Sequence, residues 1–467
     1  MKIINKNILW FSILWGMFLG IAVSIVYYSF VREFNIDEFE HIHTSWKILQ
    51  GYEIYVDFFQ HHHPLLNYLI TPILYIFGDT TTAIFVSRYL ILLILAGILA
   101  ATYFISLRLF KDSEIGIISL ILTSTVVTFF VKSIEVRPEV PQTLMGLLSI
   151  YFLFVYYDKK SLESLLASAV FLAISFLFLQ KAVVLCLVLG VLFLYDLCRK
   201  EMQFRHVLLY ITTFVLCISP YYIYHIINGS IKQYFVMNWL VNINYPKHFA
   251  TWIYMIVTIQ ENILTCTLFL LGILALMRTK RRTNNQIRFG ILSIGLILSL
   301  FLFKNTWRHY FIMLIPTVGI ISSYALHSIF KDKLSKLIVL LGAIYIPMAI
   351  IHDHGLFKRK NIEQLSQLNK IEYVLSITKQ DDKAYDGNMK FNLFRDDIDY
   401  FWYCVGKNHC LDSYKTITDY DYDIYELIST NKPRVISTFG IDNLDDKRIK
   451  DYYKTSERYQ DLLIRVK

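Results

Sequence analysis

About twenty mostly apolar residues in a row can cross a bilayer as a helix, and this chain contains that pattern over and over. Eleven such spans are read from the sequence, at 8–31, 81–109, 114–132, 140–157, 162–179, 182–198, 206–227, 251–277, 288–303, 309–329 and 336–352. A chain so built can only be an α-helical polytopic membrane protein, because a spanning helix satisfies its own backbone hydrogen bonds and an irregular segment does not. With 55% hydrophobic and 18% charged residues in 467, the chain is more apolar than a soluble domain of ordinary composition. The first span follows Lys2 and Lys6, runs apolar for more than twenty residues and has no small-residue cleavage site. It fits an uncleaved helix better than a signal peptide.

The formal charge of +9 does not imply nucleic acid. Residues 353–467 hold 20 acidic and 19 basic side chains, so the surplus falls in 1–352, with 17 acidic and 27 basic. Cytoplasmic loops of membrane proteins concentrate Lys and Arg. With the N-terminus placed inside, the inner connections hold Lys2 and Lys6; Arg108 and Lys111; Lys159 and Lys160; Arg199, Lys200 and Arg205; Arg278, Lys280, Arg281, Arg282 and Arg288; and Lys331, Lys333 and Lys336. Eleven spans then put the C-terminal end outside the cell, on the side of the loop after the first span. Domain organisation follows: a membrane domain over 1–352, with a first outer loop at 31–80, and a small soluble α/β domain over 353–467. In the latter, 361–377 reads as a helix with Ile362, Leu365, Leu368, Ile371 and Leu375 on one face, and 434–439 as a strand. Cys186, Cys198, Cys217 and Cys266 lie in apolar spans and read as small hydrophobes. Cys404 and Cys410, with five residues between them, can pair if the domain is outside.

The first outer loop is where titratable groups gather. Residues 35–66 hold Asp37, Glu38, His41, His43, Asp57, His61, His62 and His63. Such groups near hydrocarbon persist where they pair, line a cavity or do chemistry. Phe39, Ile42, Trp46 and Leu49 against Glu40, His43, Lys47 and Gln50 make an amphipathic helix, expected at the membrane surface, with Gly51 as its stop. The segment 64–77 is apolar but too short to cross. Three more polar clusters fall at outer span ends: Lys132 to Glu139, with Glu135, Arg137 and Pro138; Gln180–Lys181; and Lys304 to Tyr310, with Trp307, Arg308 and His309. Carboxylates, histidines and cations on one side suit a reaction in which an anionic group leaves and a nucleophile loses a proton. Each has a plainer reading: Asn35 or Asp37 with Glu38 or Glu40 as a capping box, the histidines as solvated loop, and Lys181, Lys304 and Arg308 as snorkelling side chains.

The order Asp37-Glu38, Gly51, Tyr55-Val56-Asp57 and His62-His63-Pro64 resembles the first outer loop of the GT-C glycosyltransferases related to protein O-mannosyltransferases and to the lipid A aminoarabinose transferase. Arg137-Pro138-Glu139 resembles their second outer loop, and Arg308-His309-Tyr310 followed by Pro316 their late Arg-Tyr…Pro feature. The resemblance covers most of 8–352. It implies a cell-membrane enzyme that moves a sugar from a polyprenyl-phosphate-linked donor to an extracytoplasmic lipid, polysaccharide or protein. It makes Asp37 the acceptor-activating carboxylate, with Glu38 beside it and Glu139 as second carboxylate, and gives the donor phosphate to His62, His63, Arg137, Lys181 and Arg308. Relatives often carry Asp where Glu139 stands, and the triple histidine departs from the commoner pattern. A divalent cation held by His62, His63 and Glu139 is left open, as are the sugar and the acceptor. Competing readings are a polytopic transporter or lipid flippase, which expects paired broken helices, and a non-catalytic membrane subunit.

Overall fold

The computed structural model describes residues 6–246, 250–279, 282–353 and 359–466. Lys2, Lys280 and Arg281, counted above among the inner cations, lie outside these. Seven described helices are long and apolar enough to cross a membrane: 7–31, 81–110, 139–159, 180–198, 204–227, 284–302 and 333–352. The predicted span 251–277 is instead two helices, Thr251–Glu261 and Ile263–Arg278, bent by 101°. Asn262 explains the break. Its backbone leaves the helical region (φ −135°, ψ 39°), and its side-chain oxygen accepts the Val127 N–H (3.0 Å) while its amide donates to Thr258 O (2.8 Å). The remaining three predicted spans coincide with shorter apolar helices, Ser113–Thr125, Leu162–Phe178 and Ile315–Ile329.

The chain divides into two compact units. The first comprises 1–31, 90–220 and 248–358. Its centre is the close packing of Ile315–Ile329 against Ser113–Thr125 and Ile263–Arg278. Two glycines permit it: a Cβ on Gly319 would lie 2.1 Å from Thr123 Oγ1, and one on Gly272 2.4 Å from the Ile321 carbonyl oxygen. Small residues at such crossings are what membrane helices use to approach. Helix Glu139–Lys159 packs along Leu162–Phe178, and a further cluster, Arg288 with Asp196 and Glu201, ties Asn284–Ser299 to the end of Val183–Cys198.

The second unit comprises 32–89, 221–247 and 359–467. It contains α1, Ile36–Leu49, and α2, Leu65–Phe77, the latter too short to cross a bilayer at 1.5 Å per residue. Asn35 caps α1 and Glu38 closes the capping box. The chain then turns at Gly51, whose φ of +93° only glycine adopts without strain. The C-terminal part carries a five-stranded sheet in the order β2-β1-β3-β5-β4. β1 (Lys383–Tyr385) runs parallel to β2 (Asp396–Asp397) and β3 (Val435–Ser437); β5 (Leu462–Arg465) runs antiparallel to β3 and to β4 (Tyr453–Thr455). Ile398, Ile424, Ile428, Ile436, Ile449 and Leu463 fill its core. Helix Arg359–Ile377 forms as expected, but Leu368, Ile371 and Val374 are its buried apolar stripe, joined by Gln364, while Ile362 and Leu365 are exposed.

Helix α1 departs from the surface helix its periodicity suggested. Residues 38–47 are all buried, polar ones included. The C-terminal part covers the polar face: His43 Nε2 lies 2.9 Å from Asp397 and its Nδ1 3.0 Å from the Leu393 carbonyl, and Lys47 pairs with Asp397 at 2.7 Å. Gln364 donates to Arg32 O, and Gln367 both accepts from and donates to the main chain of Phe34. A one-face apolar pattern therefore marks two different neighbours here, one apolar and one a polar protein surface.

Candidate active site

The candidate residues fall into two groups, one in each unit. In the first unit the start of helix Glu139–Lys159 meets the short turn Gln180–Ala182 and the turn Arg308–Phe311. Glu139 Oε1 lies 3.3 Å from Lys181 Nζ and 3.4 Å from His309 Nε2, and its Oε2 lies 3.4 Å from Arg137 Nε. Arg137 also pairs with Glu135 at 2.7 Å, and Lys132 with the same carboxylate at 2.8 Å. Lys181 Nζ stands 3.7 Å above the Tyr310 ring, a cation–π contact that orients the ammonium. Glu139, Lys181, His309 and Tyr310 head an open pocket, completed by Gln142, Thr143 and Ser299 and by apolar residues such as Leu185, Leu296 and Phe303. Arg308 does not join the Glu139 group through a described ion pair; it pairs with Glu261, at the bend of the broken helix. Polar groups clustered over an apolar slot suit a ligand with an anionic head and a hydrocarbon tail.

In the second unit Asp37 lies in the first turn of α1, partly exposed. Glu38, beside it, points away into a closed arrangement. Its carboxylate takes a two-pronged bond from Arg88 (Nη2–Oε1 2.6 Å, Nε–Oε2 2.8 Å) and accepts the Asn35 N–H (2.8 Å). Both side chains are buried. One turn beyond Asp37 on the same face, Glu40 and His41 bring a carboxylate oxygen and a ring nitrogen within 4.8 Å of a ring nitrogen of His62. The structure thus groups His62 with Glu40 and His41. His63 is buried, its Nε2 2.8 Å from the Tyr234 hydroxyl, in an aromatic cluster with Tyr221.

Tyr403 closes this second group. Its hydroxyl lies 3.1 Å from Gln60 Oε1 and 2.9 Å from His61 Nδ1. Burial, and then the neighbouring Glu40 carboxylate, raise its pKa well above the phenol value, so it stays a hydrogen-bond donor. Trp402 donates to Phe59 O, and Phe59 N donates to Tyr400 O, so 400–403 holds the loop before the histidines. Cys404 and Cys410 form a disulfide directly after it. Glu135 and His309 were inside clusters visible in the sequence. His41 lay in the cluster at 35–66 and Glu40 on its helix, whereas Tyr403 carried no local signal that sets it apart.

Residues 61–224 match the family model for dolichyl-phosphate-mannose-protein mannosyltransferase. The structure is similar to that of ArnT from Cupriavidus metallidurans bound to undecaprenyl phosphate, with TM-score 0.68 and 12% identity over 96% of this chain and 97% of that one. The fold is the GT-C fold. The apo form of the same ArnT superposes with TM-score 0.60 at 13% identity, over 90% and 92% of the two chains. The Archaeoglobus fulgidus oligosaccharyltransferase solved with Zn and sulfate gives TM-score 0.54 at 12% identity, over 82% of this chain and 62% of that one. No curated protein sequence matches the chain. Many apolar helices here accompany a small C-terminal part with a sheet.

Proposed function

We propose that this protein is a membrane glycosyltransferase that moves a sugar from a polyprenyl-phosphate-linked donor to an extracytoplasmic acceptor. The observation that carries the reading is the first unit's pocket, where Lys181, His309 and Glu139 head an apolar slot. An isoprenoid phosphate has that division of character, and the similar ArnT structure was solved with undecaprenyl phosphate bound. In the reaction, Asp37 takes the proton of the acceptor hydroxyl or amine as its heteroatom attacks the anomeric carbon. The bond from that carbon to the phosphate oxygen breaks with inversion, and the electron pair leaves with the phosphate. Lys181, with His309 when protonated, receives the charge developing there. Glu139 holds both groups in place, and Arg137 steadies Glu139 from its other oxygen. Glu38 is assigned to positioning, since Arg88 and the Asn35 N–H occupy its carboxylate.

The reading places the N-terminus in the cytoplasm and the C-terminal domain outside. The basic inner connections support this, as does the Cys404–Cys410 disulfide, a bond that persists in oxidising compartments. Asp37→Asn tests the reaction. Loss of a positioned base costs about 10²–10⁴-fold in rate, so turnover of a lipid-linked sugar should fall by that much while membrane insertion and donor binding stay normal. Near-normal turnover by the variant overturns the assignment. Mass spectrometry of lipid-linked sugars and envelope glycans in a deletion strain identifies the sugar and decides among lipid, polysaccharide and protein acceptors.

A further inference from the structure

Five histidines lie between positions 41 and 63, and their described contacts differ. His43 uses both ring nitrogens on the C-terminal part, at Asp397 and at the Leu393 carbonyl. His61 directs Nδ1 to Tyr403, and His63 directs Nε2 to Tyr234. The His62 ring lies 4.0 Å from that of His61 and 5.8 Å from that of His41, and ligand atoms of His41, His62 and Glu40 form one cluster. We propose that Glu40, His41 and His62 bind one divalent transition-metal ion of the zinc class.

The geometry and the donor set both argue for it. Ligand atoms around a four-coordinate zinc stand at about 2.0–2.2 Å from the ion, hence roughly 3.3–3.6 Å from one another. The three donor atoms here lie within 4.8 Å, so side-chain adjustments of about 1 Å close the site. Two imidazoles and one carboxylate suit zinc and its neighbours, whereas calcium and magnesium demand six or more oxygens. Three protein ligands leave a fourth position for water or substrate. The support behind the ligands is also built. Glu40 and His41 are fixed on the buried face of α1, and Asn67 donates to the His41 carbonyl at 2.9 Å and lies 3.5 Å from its Nδ1. Gln60 Oε1 accepts the N–H groups of His61 and His62 at 2.7 and 3.1 Å, and its amide donates to Thr44 at 3.0 Å. The loop that presents His62 is therefore anchored to the helix that presents the other two ligands. An ion at this place is a Lewis acid one helical turn from Asp37.

The test uses the full-length protein in detergent micelles, purified without a polyhistidine tag, stripped with a chelator and titrated with Co(II), then with Zn(II). The expected result is one equivalent of Co(II), giving the visible bands of a four-coordinate nitrogen–oxygen site that Zn(II) abolishes. His62→Asn and Glu40→Gln should each weaken Co(II) binding by tenfold or more; the first alters a loop side chain and the second keeps the shape of a buried one. His41, on the buried helix face, is left intact so that folding is preserved. Absence of a Co(II) spectrum in monodisperse wild-type protein overturns the proposal. So does unchanged Co(II) affinity in both variants. Neither outcome depends on which reaction the protein catalyses.

Discussion

Arg88→Met should loosen the start of helix α1 without touching any group proposed to meet substrate. The guanidinium makes four described bonds: two to the Glu38 carboxylate and one each to the carbonyls of Arg32 and Glu33, both at 2.9 Å. It also lies 3.9 Å from the centre of the Phe34 ring. Methionine keeps much of the apolar stem but leaves a buried carboxylate with its main counter-charge gone. Removing one partner of a buried ion pair costs about 3–5 kcal/mol, and the two carbonyls that lose donors push toward the upper end. A cost of that size raises the population of locally opened chain by roughly 10²–10⁴-fold. Because Asn35 and Glu38 form the capping box, the opening should be confined to about 32–40. Hydrogen exchange by mass spectrometry in nanodiscs reads it directly: amides of 33–40 should lose protection while helix Glu139–Lys159 keeps its own. Lysine at position 88 should be intermediate, since it keeps the charge but not the two-pronged geometry. Combining Arg88→Met with Glu38→Gln should recover part of the loss, because the amide still accepts the Asn35 N–H and no buried charge remains. Wild-type exchange at 33–40 in Arg88→Met would refute the assignment of Glu38 to positioning.

Lys181→Met should lower kcat/KM for a defined polyprenyl-phosphate sugar by about 10²–10³-fold, the usual loss when one group that stabilises transition-state charge is removed; steady-state kinetics that match the wild type would contradict the phosphate site. Asp397 supplies a pH prediction. Burial pushes its pKa up, but Lys47 and His43 more than offset this and hold it below the usual carboxylate value. A carboxyl whose folded pKa is lowered stabilises above its unfolded pKa of about 4, and that stability disappears as pH falls through the folded value. Lys47→Met should therefore move the acid transition of the C-terminal part to higher pH, followed by the fluorescence of Trp402, whose ring centre lies 4.6 Å from that of His43; an unchanged transition would show that the Asp397 pair contributes nothing to stability.

What the sequence made legible is what depends on local pattern. Hydropathy located helices at all eleven predicted spans, because burial of apolar side chains in lipid needs no knowledge of the neighbours. It could not foresee the break at Asn262, whose cause is a hydrogen bond to Val127, 135 positions away. Of the five described strands, only the one expected at 434–439 was anticipated; all five have two to four residues, too few to show an alternation. Glu139, Arg137 and Lys181, singled out in separate polar clusters at span ends, are brought into contact by the structure.

The second group resisted for a different reason, and α1 shows it. A helical period in apolar residues says that two faces have different surroundings, and nothing more. Read alone, the face with Glu40, His43 and Lys47 was given to water, because water is the default partner of charge. The structure gives that face to Asp397, Leu393 and Tyr403, more than 340 positions along the chain. One sequence cue did bear on the choice. A face meant only for water tolerates any long polar residue, whereas this one carries Glu40 and His43, side chains whose charge, proton or lone pair a specific partner can use. Buried groups of that kind persist when each is paired, so finding titratable rather than merely polar residues on the second face is itself a reason to look for a covering surface. Tyr403 is such a partner: a hydroxyl held as a donor among Gln60, His61 and Glu40, which no reading of residues 35–66 alone could have supplied.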